Sequence, residues 1–287
     1  MLRSSTLAIC LLGCLPVLAD DPVPAGQPLT LIVMDPLARE LSCPCVRGYA
    51  QRDYNALARF LQTRINRPVK VTFSESLVKA VTDKTEGRAD IVVGKESVVR
   101  ADAAALKRTL EPIVRLTGKD GATTQTGLFV VPRNDPARTM ADLKDYRIVF
   151  GPPECDEKHA AARALLTEHN VPLPGKIETA EGCDVGATRV LELPAGQHGA
   201  AVISSYARPL LEGCGTVPRG SLRIVGETKP VPFVTAFVAA GMSRVESDAI
   251  RGALLDVAEN AELCRAMETR GFVAPEPAAA ADKAKKK

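Results

Sequence analysis

The strongest constraint on this chain is an alternation that runs along most of its length. Short apolar runs of strand type are separated by single segments of helical spacing. Residues 29–34 are a continuous apolar run, and 53–65 place Leu57, Phe60, Leu61 and Ile65 on one helical stripe. Residues 68–73 read as a strand, 76–86 as a helix closed by Gly87, and 89–94 as a buried strand. The pattern continues with strands at 128–131 and 147–150, a helix over 155–169, and strands at 200–203, 222–225 and 231–239. Helices follow over 246–257 and 261–270, the second stopped by Gly271. Strands joined through single helices cannot form hairpins. The spacing therefore predicts an α/β fold of mainly parallel sheets flanked by helices.

Both ends of the chain read differently. Arg3 precedes an apolar run over 7–18, and Val17 and Ala19 stand at −3 and −1 of a cleavage site before Asp20-Asp21. This predicts a secretory signal peptide over 1–19, since a run of about twelve residues is too short to cross a bilayer that needs roughly 20. Leu11-Leu12-Gly13-Cys14 also resembles a lipobox, so a lipoprotein anchored through Cys14 is the alternative. The other end, 276–287, is Ala, Pro and Lys without periodicity and predicts a disordered tail.

Those ends account for the charge balance. The chain carries 37 basic and 34 acidic residues. Setting aside Arg3, the four tail lysines, Glu276 and Asp282 makes the two equal. A neutral body lacks the basic footprint that nucleic acid demands, so no nucleic-acid partner is expected. Six cysteines follow the cleavage site: Cys43, Cys45, Cys155, Cys183, Cys214 and Cys264. An exported chain with an even number of cysteines predicts disulfides, in any of about 15 pairings.

Four segments carry a family resemblance. Residues 54–61 (YNALARFL), 86–91 (EGRADI), 142–151 (DLKDYRIVFG) and 200–206 (AAVISSY) resemble, in family order, segments of the type 2 periplasmic solute-binding proteins. They are most similar to the phosphate/phosphonate-binding branch of the ABC importers, and the resemblance covers about 40–275. It implies two lobes, one of 27–115 plus 229–275 and one of 116–228, joined by crossing strands that act as a hinge. It also implies a monomer that closes on a small molecule and an inner-membrane ABC permease as partner.

In such lobes ligands bind beyond the carboxyl ends of strands, beside helix N-termini. The strand-to-helix steps therefore supply the candidate residues. Gly94, Lys95 and Ser97 follow the 89–94 strand, as backbone approach, anion partner and hydrogen-bond donor, or as an ordinary helix start. Thr123, Thr124 and Gln125 precede a hinge strand, as ligand contacts or as an exposed strand edge. Ser204, Ser205 and Tyr206 follow the 200–203 strand, as ligand contacts or as a helix cap. Gly151 to His159 departs from the phosphonate-binding pattern, with Glu154, Asp156 and Glu157 where Ser and Thr are expected. Read as the first turn of the 155–169 helix, these carboxylates would repel a phosphate or complement the helix dipole.

Cys155 and His159, four apart, would share a face of that helix and contact the ligand or hold a metal. With Cys43 and Cys45 they make a soft-metal alternative: a copper or zinc-binding or redox accessory protein on the same fold. The main reading needs no cofactor. No GxSxG, HExxH, Walker or GxGxxG motif is present, so no catalytic residue and no enzymatic activity are expected.

Overall fold

The computed structural model describes residues 26–42 and 51–275. The expected signal peptide over 1–19 with Cys14, the Cys43/Cys45 pair and the expected tail of 276–287 lie outside the described residues.

Two sheets organise the fold. The first uses β1 (Leu29–Met34), β2 (Val69–Phe73), β3 (Ile91–Lys95), β4 (Leu110–Leu116) and, from the end of the chain, β12 (Val234–Ala239) and β13 (Phe272–Val273), in the order β13-β4-β12-β3-β1-β2. A two-residue strand, β5 (Thr124–Gln125), then leads into the second sheet. This is built from β6 (Gly127–Pro132), β7 (Arg147–Phe150), β8 (Glu178–Thr179), β9 (Gly199–Ser204) and β10 (Leu222–Glu227), in the order β10-β6-β9-β7-β8. The chain returns through β11 (Val231–Pro232), which pairs antiparallel with β5, and enters β12 (Val234–Ala239) and β13 (Phe272–Val273).

Direction follows from the pairings. β1, β2 and β3 are mutually parallel, and β4 and β3 each run antiparallel to β12, so these four point one way. In the second sheet β7, β8, β9 and β10 share a direction and β6 opposes them. In each sheet the reversed central strand, β12 or β6, is the one reached directly from the β5/β11 crossing.

Helices cover both faces of each sheet. Strand alternation sends Leu29, Leu31 and Val33 into a core with Tyr54, Leu57 and Leu61 of α1 (Tyr54–Ile65). Ile32 and Met34 face the other way, onto Leu77 and Val81 of α2 (Leu77–Asp83) and Val99 of α3 (Glu96–Ala105). In the second sheet Phe129, Ile148 and Phe150 pack on Ala162 and Leu166 of α4 (Ala160–Glu168). Val130, Val149 and Ile203 pack on Ala187 and Val190 of α5 (Cys183–Leu191) and Leu211 of α6 (Ala207–Gly213). Helix α7 (Arg244–Leu255) returns to the first core through Ile250 and Leu254, and the short α8 (Ala261–Ala266) adds Leu263.

Three local differences from the sequence reading have physical causes. The 155–169 helix begins only at Ala160. The Lys158 carbonyl accepts from Gly151 N–H at 3.2 Å, and Cys155 and Lys158 close tight turns through Pro152 and Cys155 carbonyls at 2.9 Å each, so 151–159 is a compact loop. The 231–239 run is two strands, because Phe233 N–H donates to the Thr123 carbonyl at 3.0 Å where the chain passes between sheets. β4 has no clear alternation because Glu111-Pro112 interrupts it, and Pro112 sits at the register shift opposite Ala236/Phe237.

Candidate functional site

The carboxyl ends of β3, β7 and β9 converge where the crossing strands join the lobes. Lys95, the last residue of β3, reaches across to Glu157 in the loop after β7, with Nζ to Oε1 at 2.5 Å. Both side chains are out of solvent, Glu157 completely. The same Oε1 accepts from Ser204 Oγ at 2.7 Å, so the end of β9 completes the arrangement. Lys95 Nζ also lies 3.5 Å from the Cys155 sulfur. A second contact spans the lobes beside it: Asp156 N–H donates to Ser97 Oγ at 3.3 Å. Glycine makes this approach possible. A Cβ on Gly127 would lie 1.9 Å from the Glu157 carbonyl oxygen.

The electrostatics follow from burial opposed by pairing. Burial raises the Glu157 carboxyl, but Lys95 and the Ser204 hydroxyl outweigh it and hold the carboxyl below its usual range. Burial likewise pulls the Lys95 ammonium down, and the negative forms of Tyr206, Glu157 and Cys155 more than reverse it. Burial pushes the Cys155 thiol up, against Lys95 and Lys158. Asp156, although exposed as a residue, is raised by partial desolvation of its carboxyl and by its neighbour Glu157.

A second buried set backs the lobe-one wall. Asp35, just past β1, accepts from Arg52 at 2.7 Å and from the Tyr54 hydroxyl at 2.6 Å. The Arg52 guanidinium also lies 5.7 Å from the centre of the Phe233 ring, and Tyr206 stacks on that ring at 5.1 Å and 17°. Phe233 thus ties the hinge to both lobes.

Several polar atoms here are buried without a hydrogen-bond partner: both amide atoms of Gln125, Oε2 of Glu157 and Nε of Arg52. Such groups are rare in folded proteins, where burial without a partner is costly. Gln125 stands on β5 two residues before Gly127, on the same side of the extended chain.

The sequence-predicted residues separate into two groups. Lys95, Ser97, Cys155, Ser204 and Tyr206 meet in this cluster, with Gln125 on the hinge beside it. Ser205 and Thr123 serve the crossing instead: Ser205 Oγ accepts from Thr126 N–H at 3.2 Å, and Thr123 supplies its carbonyl to Phe233. Thr124 is exposed, paired to Pro232. Gly94 makes room for Met34, whose Cβ would lie 2.7 Å from a Cβ at that position. His159 turns into lobe two, its Nδ1 3.0 Å from the Gly151 carbonyl and its ring against Phe150.

The soft-metal alternative is not supported. Cys155 and His159 precede α4 and share no helical face, and no group of three or more His, Cys, Asp or Glu residues among the described residues is placed to hold a metal. The expected disulfides are also missing among the described residues, where Cys155, Cys183, Cys214 and Cys264 are free thiols. Nor do Glu154, Asp156 and Glu157 form an acidic helical turn, because Glu157 is buried against Lys95 while Asp156 stays exposed. Sequence reasoning missed Asp35, Arg52, Lys158, Cys183 and Phe233. Asp35 stood just past a strand end, and no motif marked Arg52 or Lys158.

The profile of a family described as "ABC transporter, phosphonate, periplasmic substrate-binding protein" matches residues 49–281. The chain belongs to that family. It is a solute-binding protein of the type that serves ABC uptake, and the architecture agrees. The Xanthomonas citri protein XAC2383, solved bound to ATP, is 16% identical with a TM-score of 0.63, over 90% of this chain and 94% of that one. PhnD1 from Prochlorococcus marinus, solved with methylphosphonate, is 13% identical at TM-score 0.63, over 90% and 97%. A binding-protein component of an ABC phosphonate transporter from Pseudomonas aeruginosa is 12% identical at TM-score 0.61, over 87% and 82%. These likenesses establish the two-lobed fold. Among curated proteins, none matches this chain.

Proposed function

We propose that the chain is exported by its N-terminal signal peptide and holds one small solute between its lobes, as a monomer, for an inner-membrane ABC permease. Lobe one comprises 27–115 plus 229–275 and lobe two 116–228. The ligand site is the cluster around Lys95, Ser97, Gln125, Glu157, Ser204 and Tyr206. The observation that carries this reading is the buried cross-lobe ion pair of Lys95 and Glu157, formed where strand ends converge beside a buried Gln125 with no partner. Polar groups sealed between two lobes, on two crossing strands, suit closure around a ligand. The cluster's polar side chains orient and desolvate the solute.

Native mass spectrometry on the full chain released gently from the periplasm tests this. The expected result is one small organic mass per chain, lost on denaturation, together with an N-terminus at Asp20. A chain that carries no small molecule, and whose radius of gyration by X-ray scattering is unchanged by incubation with concentrated cell-extract metabolites, would overturn it.

A further inference from the structure

Two of the cysteines stand beside lysines, and the two pairs differ. Cys155 is buried, and the Lys95 ammonium 3.5 Å from its sulfur is already tied to Glu157. Cys183, the first residue of α5, is only half-buried. Its sulfur lies 3.8 Å from Lys158 Nζ and accepts from Ser204 N–H at 3.4 Å, while its thiol faces Ser204 Oγ at 3.7 Å. Lys158 is 5% exposed. Its ammonium acts on the Glu157 carboxyl and the Cys155 thiol from a distance, but among the described residues its side-chain hydrogen bond goes to the Cys183 sulfur. The lysine stem is held in that direction. A Cβ on Gly151 would lie 2.5 Å from Lys158 Cβ and 2.7 Å from its Cε, so the stem lies flat over the glycine. A thiol within reach of solvent, beside a cation and at a helix start, is the kind that oxidises first.

We propose that Cys183 and Lys158 form an oxidant-responsive pair, joined by a sulfur–nitrogen bond when hydrogen peroxide reaches the thiol. In the first step the sulfur attacks the peroxide, the O–O bond breaks, and Cys183 becomes a sulfenic acid with release of water. Sulfenic acids condense with a neighbouring nitrogen. Ser204 N is nearer to the sulfur, but its lone pair is delocalised into a peptide carbonyl, so the lysine amine is the better nucleophile. Lys158 gives one proton to solvent and its Nζ attacks the sulfur. The S–O bond breaks, and the oxygen leaves as water with a second nitrogen proton. In total a thiol, an ammonium and a peroxide give a sulfenamide, two waters and a proton; the sulfur is oxidised and the peroxide oxygens are reduced. The product ties the loop of 151–159, which carries Glu157, to the start of α5, and it replaces the ammonium by a neutral nitrogen. No solute takes part, so this inference stands or falls apart from the solute-binding reading.

The test is peptide mass mapping of the full chain, reduced, freed of reductant, treated with hydrogen peroxide and digested with a protease that spares lysine. Wild type is expected to give a linked species of the Cys183 and Lys158 peptides, lighter than their sum by two hydrogens, about 2 Da. Excess dithiothreitol should release the two peptides again. Lys158→Arg keeps the cation but offers no amine, so it should lose the linked species and let Cys183 run on to the sulfinic acid, about 32 Da heavier. Cys183→Ser should lose both products. Each variant is checked for cooperative melting, and the wild-type map decides by itself where a variant does not fold. A wild type in which Cys183 stays a thiol, stops at the sulfenic or sulfinic acid without a link, or joins another cysteine instead would overturn the proposal. So would a linked species that persists in Lys158→Arg.

Discussion

Replacing Lys95 by Met isolates the contact on which the closed arrangement depends. At 2.5 Å the gross attraction of Lys95 and Glu157 is about 7 kcal/mol at an effective dielectric near 20. Removing both ions from water costs several kcal/mol each, so the intact pair stands close to neutral against an apolar pair of similar volume. Removing only the lysine is different, because Glu157 then stays wholly buried with no cation bonded to it. The expected loss is about 3–5 kcal/mol of unfolding free energy, measured by urea denaturation. The pair joins two lobes, so the molecule has another way to relieve the charge. It can open and hydrate Glu157, which limits the loss in stability and increases the radius of gyration seen by X-ray scattering.

The double variant Lys95→Met/Glu157→Gln should lose less than Lys95→Met alone. The pH dependence has a definite sign. The lowered Glu157 carboxyl gives wild type stability that is fully present above about pH 4.3 and lost as pH falls through its folded value. The raised Lys95 ammonium gives stability present below about pH 10.4 and lost as pH rises through its folded value. The gap between wild type and Lys95→Met should therefore be widest near neutral pH and narrow in acid, where Glu157 of the variant is protonated. A variant within 1 kcal/mol of wild type at pH 7, with an unchanged radius of gyration, would refute this account of the cleft.

Other outcomes follow from the same contacts. Gly127→Ala puts a methyl group on the Glu157 carbonyl oxygen, and should lower stability by about 1–3 kcal/mol or more in thermal melts. Arg52→Met leaves Asp35 buried with only the Tyr54 hydroxyl and a backbone N–H; denaturant titration should show a loss of about 3–5 kcal/mol, largely recovered by adding Asp35→Asn. Phe233→Ala removes the ring that both Tyr206 and Arg52 contact, and titration calorimetry on the solute identified by mass spectrometry should show weaker binding by about 1–3 kcal/mol. Cys155, its thiol raised by burial, should resist thiol reagents at pH 8 in the native protein and react once the chain is denatured, as followed by peptide mass mapping.

The sequence by itself determined most of the strands, the helices with strong apolar stripes and the family, but not the strand of 110–116, interrupted by Pro112, nor the short helices of 96–105, 183–191 and 207–213. The run of 29–34 is a strand wherever it lies, because each residue finds an apolar face on one side of the sheet or the other. Asp53 and Ser76 cap α1 and α2 with their own side chains, signals contained within a few residues. The likeness of 54–61, 86–91, 142–151 and 200–206 to one family was readable because each is a run of consecutive residues, and the strand-to-helix steps were local in the same way. Lys95, Ser204 and Tyr206 could be named as candidates from those steps alone. Their partners could not. Glu157 looked like one of three carboxylates at a helix start, and only the loop of 151–159, folded under Gly127, turned it inward to Lys95, 62 residues away. Helical and strand spacing are set by neighbours along the chain, whereas the pairing of buried charges is set by which strand ends meet. That meeting depends on the hinge crossing and the packing of two sheets.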